Sequence, residues 1–257
     1  MRGPRYSILA ATALVCGILA SGCSTGSATK EETSTPILEM TIRVASLDVS
    51  RLNRRMTRTD VSDLWAIMKK EKVEILMVQN LTRYPGLATR VDLLNEYASL
   101  SGWRTKFGEL VDNSGRLNGN AVLSAYPIRS SGTISFHTVK GAVFEGALQA
   151  VIDGGLREII TVSATYPEKG GENVKNDCRT LIAKARGNPS APMILSGSNP
   201  SPRDGWQEVF AAGDQVGLQY DGVGAMQVLD SQTLSAKLGK ISVATFGLYR
   251  TPKGSAL

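Results

Sequence analysis

Histidine is almost missing: the 257 residues hold one, His137. Any site that needs two imidazoles is thereby excluded. Cysteine is scarce too, with only Cys16, Cys23 and Cys178, none in C-x-x-C spacing. Neither a cysteine zinc site nor a disulfide framework can be built from them. Aromatic residues make up 6%, too few for a single-strand binder that stacks successive bases. No uncharged run is long enough to span a bilayer as a helix. Charge is also modest, at a formal +6, which by itself selects no anionic partner. What is present is ordinary for a folded protein: 42% apolar and 20% charged residues, with 26 glycines and 10 prolines. That length and composition suit one large domain or two small ones with a sizeable core.

The first residues are organised differently from the rest. Arg2 and Arg5 precede a thirteen-residue uncharged stretch, Ile8 to Ala20. This has the length of a signal-peptide core. It ends in Leu19-Ala20-Ser21-Gly22-Cys23, small residues directly before a cysteine. The pattern resembles the bacterial lipoprotein signal, in which the cysteine thiol is lipidated and becomes the new N-terminus. An ordinary secretory leader with an incidental cysteine is the alternative. Removing residues 1–22 leaves 27 basic against 23 acidic residues. Ser24 to Pro36 is Ser/Thr-rich and lacks large apolar side chains, so it reads as a tether. The expected organisation is a signal peptide over 1–22, a lipidated tether over 23–39 and a folded domain over 40–257. An exported protein held at the membrane of the bacterial cell envelope follows.

Strand and helix signals alternate from Thr41 onward. Thr41–Val49 alternates around Ile42, Val44 and Ser46, which predicts a half-buried strand. Asp60 or Ser62 can cap a helix to about Lys70, with Leu64, Ile67 and Met68 inward. Ile75–Gln79 reads as a strand covered on both faces, and Arg90–Leu100 as a second helix. Strands are expected at Lys106–Val111, from near Asn120, and at Val143–Ile152 and Glu158–Thr165, the last two joined by a hairpin at Asp153-Gly154-Gly155. Asn173–Arg186 reads as a helix whose face Val174, Cys178, Leu181, Ile182 and Ala185 is apolar, which makes Cys178 a buried small hydrophobe. Met193–Ser196 is a further buried strand, and the last fifty residues suggest strands only at Ala225–Leu229 and Ile241–Leu248. Strands outnumber helices, and hairpins mix with crossovers. Two packed sheets flanked by helices fit this better than a doubly wound sheet.

Five segments then fall in a telling order. They are Ala45-Ser46-Leu47-Asp48-Val49, Glu74-Ile75-Leu76-Met77-Val78-Gln79-Asn80, Gly119-Asn120-Ala121-Val122-Leu123-Ser124-Ala125-Tyr126-Pro127-Ile128, Val162-Ser163-Ala164-Thr165-Tyr166 and Ile194-Leu195-Ser196-Gly197-Ser198-Asn199-Pro200. Their sequence resembles the endonuclease/exonuclease/phosphatase family, the deoxyribonuclease-I-like fold, over roughly Thr41 to Pro202. Gly119–Ile128 is the most specific part. The resemblance implies a four-layer α/β/β/α sandwich, two packed mixed sheets flanked by helices, with a cleft where these strand ends meet. It also implies phosphoester hydrolysis with a divalent metal, usually magnesium, held by a Glu. An Asp there serves the water, and histidines stabilise the transition state.

The residues at these positions depart from that chemistry. The family's Gln-Glu reads Gln79-Asn80, its Thr-His-Leu reads Ala164-Thr165-Tyr166, and its Gly-Asp-x-Asn reads Gly197-Ser198-Asn199, one residue short. The closing Ser-Asp-His is not found, and His137 aligns with neither family histidine. Magnesium is a hard cation normally held by carboxylates, and each lost acid, base or electrostatic group costs orders of magnitude in rate. No cofactor is therefore expected, and no catalytic or metal-binding residue is assigned. The alternative is a weak magnesium or manganese site, since the family's first-strand Asn is Asp48 here and its Glu is Asn80, as if carboxylate and carboxamide had exchanged. Asp48, Asn80, Asn120, Thr165, Ser198 and Asn199 remain candidates for a degenerate cleft. Arg51, Arg54, Arg55 and Arg58 follow the first strand and would suit an anionic ligand, or form a solvated basic loop. Nothing points to a specific nucleic-acid partner. The expected function is a binding or scaffolding role at the envelope, with a rearranged metal-dependent phosphoesterase as the rival.

Overall fold

The computed structural model describes residues 36–50, 56–87, 89–112, 115–139, 145–167, 171–197, 206–209, 217–221 and 226–250. The first sheet is built from β1 (Ile37–Asp48), β2 (Ile75–Arg83), β3 (Arg104–Asp112), β4 (Leu117–Ser124), β11 (Met226–Ala236) and β12 (Gly239–Arg250). Its order is β11-β12-β1-β2-β4-β3. The second holds β5 (Ile128–Ser135), β6 (Gly146–Asp153), β7 (Glu158–Thr165), β8 (Met193–Gly197), β9 (Trp206–Glu208) and β10 (Gly217–Asp221). It runs β5-β6-β7-β8-β10-β9. Both sheets are mixed, because β1 pairs β2 and β7 pairs β8 in parallel while the other pairs are antiparallel.

Helices α1 (Arg58–Lys70) and α2 (Leu93–Ser101) lie on the first sheet, and α3 (Gly171–Lys184) lies on the second. Three apolar layers result. Val61, Leu64 and Met68 of α1 and Tyr97 of α2 meet Ala45, Leu47, Leu76 and Val78. Ile42, Val44, Met77 and Phe246 meet Ile152, Ile159 and Ile194 between the sheets. Cys178 and Ile182 of α3 meet Val162, Met193 and Leu195. The four-layer α/β/β/α sandwich is therefore the architecture of the chain, and Cys178 is fully buried as a core residue. Among the described residues no helix is long and apolar enough to cross a membrane.

Several boundaries differ from expectation. Pairing of Ile37 with Arg250 and Leu38 with Tyr249 starts β1 four residues early, so Ile37 and Leu38, placed in the tether, are sheet residues. The strand is also covered on both faces, not half-buried, since α1 and α2 close one side and the second sheet the other. Helix α1 is capped by Thr57, and Asp60 instead closes the capping box as the third helical residue. Helix α2 starts at Leu93 because the Asp92 carboxylate accepts from the amides of Leu94 and Asn95. At the β6–β7 hairpin Gly155 takes φ +86° while the Asp153 side chain accepts from its amide at 3.0 Å. The C-terminal strands are longer than their sequence signal, forming one hairpin that puts β12 beside β1. His137 lies beyond the end of β5, exposed, with Nδ1 against Ser135 Oγ at 2.7 Å.

Candidate functional site

Parallel pairing aligns the C-terminal ends of β1 and β2, with Asp48 opposite Gln79. Just beyond, β2 bulges: Val78 pairs Ala121 and Leu81 pairs Gly119, so Gln79 and Asn80 together oppose Asn120. Asn80 absorbs the extra residue in the left-handed region at φ +56°, where Asn is among the few tolerated side chains. The neighbouring strand must come very close, since a Cβ on Gly119 would lie 2.0 Å from the Gly108 carbonyl oxygen. The bulge turns the Asn80 amide towards β1 and the second sheet.

Four of the six cleft candidates are joined there by hydrogen bonds. Asn80 Nδ2 donates to Asp48 Oδ2 at 2.8 Å, and the Asn80 amide N–H donates to Asn120 Oδ1 at 3.2 Å. Thr165 Oγ1 sits 3.0 Å from Asn80 Oδ1 and 2.8 Å from Asn120 Oδ1, so its single proton is shared between two amide oxygens. Asn120 Nδ2 donates to the Gly146 carbonyl at 3.0 Å, which ties β4 to β6 across the two sheets. The other oxygen of Asp48 accepts from the Ser50 amide at 2.7 Å. Ser198 and Asn199 lie outside the described residues, as do Cys23, Arg51, Arg54 and Arg55. Arg58 is not a loop residue: it opens α1 and pairs with Glu96 of α2 at 3.3 Å.

Beneath this cluster lies a second polar layer that the candidate set did not include. Gln79 is fully buried and reaches across the sheets. Its Nε2 donates to Ser196 Oγ at 2.6 Å and Ser163 Oγ at 3.0 Å, and its Oε1 accepts from Ser46 Oγ at 3.4 Å. Ser46 also bonds Ser196, and Ser163 donates to the Val78 carbonyl at 2.9 Å. All three serines are fully buried. Their signal in the sequence is positional, a hydroxyl on the inner face one or two residues from the end of an otherwise apolar strand.

Among the described residues, the donor set at these strand ends does not fit a hard divalent cation. Asp48 brings the cluster's one carboxylate, and protein N–H groups already occupy both of its oxygens. Asn80, where the resemblance implies a metal-holding Glu, turns an N–H toward Asp48 and has its oxygen engaged by Thr165. Among the described residues no three of His, Cys, Asp and Glu gather as a metal group would. The segment Gly119–Ile128 contributes the Asn120 side chain and the close strand contact at Gly119 here. Its remainder builds the passage from the first sheet to the second at the opposite end, where Tyr126 donates to Glu74 Oε1 at 2.6 Å. Burial and the Glu74 charge push that phenol up to about 12.

No protein-family model matches the chain, and no curated protein matches it in sequence. Solved structures do match in three dimensions. An endonuclease/exonuclease/phosphatase from Bacteroides vulgatus superimposes with TM-score 0.64 at 10% identity, over 82% of this chain and 100% of its own. One from Beutenbergia cavernae gives 0.61 at 13% identity, over 82% and 72%. The catalytic domain of human Nocturnin, solved with a bound sulfate anion, gives 0.62 at 11% identity, over 85% and 97%. The chain thus carries the endonuclease/exonuclease/phosphatase fold, the deoxyribonuclease-I-like sandwich.

Proposed function

We propose that this chain is a lipid-anchored protein of the bacterial cell envelope whose domain keeps the fold of phosphoester hydrolases but binds or scaffolds instead of hydrolysing. One observation carries the loss of catalysis. The polar groups at the convergent strand ends satisfy one another, so Asp48, Asn80, Asn120 and Thr165 form a hydrogen-bonded set in which both oxygens of the one carboxylate already accept from protein N–H groups. An acid or base must reach the substrate's proton directly or through one water, and neither Asn80 nor Thr165 titrates near neutral pH. The leader pattern ending at Cys23 supports the anchor. Arg51, Arg54 and Arg55, a few residues after Asp48, support an anionic ligand, as does the sulfate seen on the Nocturnin fold.

Two measurements test the two halves. Labelled fatty acid should enter the wild type and not Cys23→Ser; label that persists in the variant removes the anchor. Purified protein with magnesium or manganese should cleave neither DNA nor simple phosphate esters above background. Turnover that disappears in Asp48→Ala would establish a rearranged phosphoesterase in its place.

A further inference from the structure

The sandwich has two unlike ends. Strand β1 runs from Ile37 to Asp48, and the polar cluster sits at the Asp48 end. Six large apolar side chains are exposed among the described residues, and four of them, Ile37, Leu38, Leu156 and Leu229, lie toward the Ile37 end at 45% to 69% exposure. Leu38 and Leu229 meet over Gly247. A Cβ placed on Gly247 would lie 3.0 Å from Leu38 Cδ1 and 3.1 Å from Leu229 Cδ1. Leu156 tips the β6–β7 hairpin, and the next residue, Arg157, pairs with Glu39 at 2.7 Å, docking that hairpin on the start of β1.

Charge at this end is uneven as well. Among the described residues, the acids here are paired with bases except Glu74, which accepts from the neutral Tyr126: Glu39 with Arg157 and Arg250, Asp153 and Glu158 with Arg129, Asp221 with Arg186, and Glu71 and Asp230 with Arg43. Lys69 and Lys70 end α1, Lys72 follows it, Arg104 opens β3 and Lys184 ends α3. All five are exposed and make no ion pair among the described residues. Apolar side chains rimmed by uncompensated bases are what an anionic bilayer surface attracts.

The geometry points to the Ile37 end as a membrane-resting face, with an anionic lipid surface as its occupant and the Asp48 cluster held outward. The placement rests on the lipid-anchored reading for one of its arguments. Thirteen residues, Ser24 to Pro36, separate Cys23 from Ile37, a reach of at most about 45 Å. With the Ile37 end down that length is slack. With the Asp48 end down it would have to climb β1 itself, about 40 Å of strand.

Amine-reactive footprinting of the full chain in vesicles reads the orientation. With phosphatidylglycerol in the bilayer, Lys69, Lys70, Lys72 and Lys184 should label several-fold more slowly than in pure phosphatidylcholine, while Lys240, exposed at the Asp48 end of β12, is unchanged. Leu38→Glu combined with Leu156→Glu should restore the labelling, and Leu87→Glu, an exposed change away from this patch, should not. Protection independent of anionic lipid, absent altogether, or lifted equally by Leu87→Glu would overturn the proposal. So would protection that persists without vesicles and tracks dimer formation, which would assign the face to a second copy. Fatty-acid labelling that succeeds while protection is absent refutes the face alone; protection without labelling refutes the anchor alone.

Discussion

Between the two sheets, the inner face of each strand changes character along its length. At the Ile37 end it is dry: Ile42 and Val44 of β1, Ile75 and Met77 of β2, Ile159 of β7, Ile194 of β8 and Phe246 of β12, all fully buried. Two to four residues further along the same faces come Ser46, Gln79, Ser163, Ser196 and Ser242, also buried, and beyond them Asp48 and Thr165. Burial is equal in the two halves, so exposure to water does not explain the change. The dry half is held by shape and area, where a lost methylene costs both transfer and cavity energy. The polar half is held by reciprocal hydrogen bonds, where what matters is that no partner be left alone. Such a layer positions the groups above it at the expense of ordinary core packing.

The largest effect that separates the halves is expected for Phe246→Ala. Its ring packs edge-on to Tyr220 at 5.5 Å between the sheets. Removing it should cost about 3–5 kcal/mol in denaturant unfolding, and the Asp48 cluster should be unaffected by NMR amide shifts. A cost below about 1 kcal/mol would mean that the sheets collapse into the space and the dry half is not close-packed.

Gln79→Leu comes next. Leu keeps most of the volume but leaves the Ser46, Ser163 and Ser196 hydroxyls to find new partners, a loss of about 2–3 kcal/mol. Unlike the Phe246 change, this one should be non-additive. Adding Ser163→Ala to Gln79→Leu should cost less than the sum of the single changes, because the second removes a group the first has stranded. Strict additivity would show that the buried layer is four separate polar groups and not a network.

Much of this arrangement is written in period-two alternation. The opposition of Ile160, Val162 and Ala164 to Thr161, Ser163 and Thr165 is real, and both faces of β7 are buried. Alternation names two faces without saying what covers each. For that reason β1 reads as half-buried although the second sheet lies over Ser46. The strand ends were legible through the motif order, which brought Asp48, Asn80, Asn120 and Thr165 to one place. Gln79 reads in the sequence as half of a motif, yet its own part, bridging the sheets, depends on partners 84 and 117 residues away. The C-terminal hairpin was the least legible. Edge strand β11 alternates mostly between exposed and half-buried positions, so its pattern lacks the apolar stripe that marks a strand.

Asn80→Glu probes the boundary between the polar layer and the cluster above it. The substitution exchanges a 2.8 Å amide–carboxylate bond for two facing carboxylates. Facing charges should cost about 1–2 kcal/mol at neutral pH, which manganese should partly recover, and Glu in the left-handed conformation at φ +56° about 1 kcal/mol more, which it should not. Thermal unfolding with and without manganese reads both. Phosphoester hydrolysis should stay at background in the variant, because Thr165 still supplies neither acid nor base.

The smallest effect belongs to a polar pair with one exposed partner, Lys237, and one buried one, Asp60. Lys237, in the β11–β12 turn, reaches Asp60 of α1 at 2.6 Å. Its hydrogen bond, followed by those of Thr57, lowers the Asp60 carboxyl from 3.8 to about 2. A depressed carboxylate stabilises the folded chain fully above the unfolded value and loses that contribution as pH falls through the folded one. The wild type should therefore lose stability relative to Lys237→Met between pH 4 and pH 2, and the two should differ by a constant amount above pH 5. Since Lys237 is largely exposed, that constant should be below about 1 kcal/mol, well under the cost of Gln79→Leu. A Lys237→Met penalty as large as that of Gln79→Leu would mean that burial is not what sets the value of polar contacts in this sandwich, and the contrast between its two inner halves would lose its physical basis.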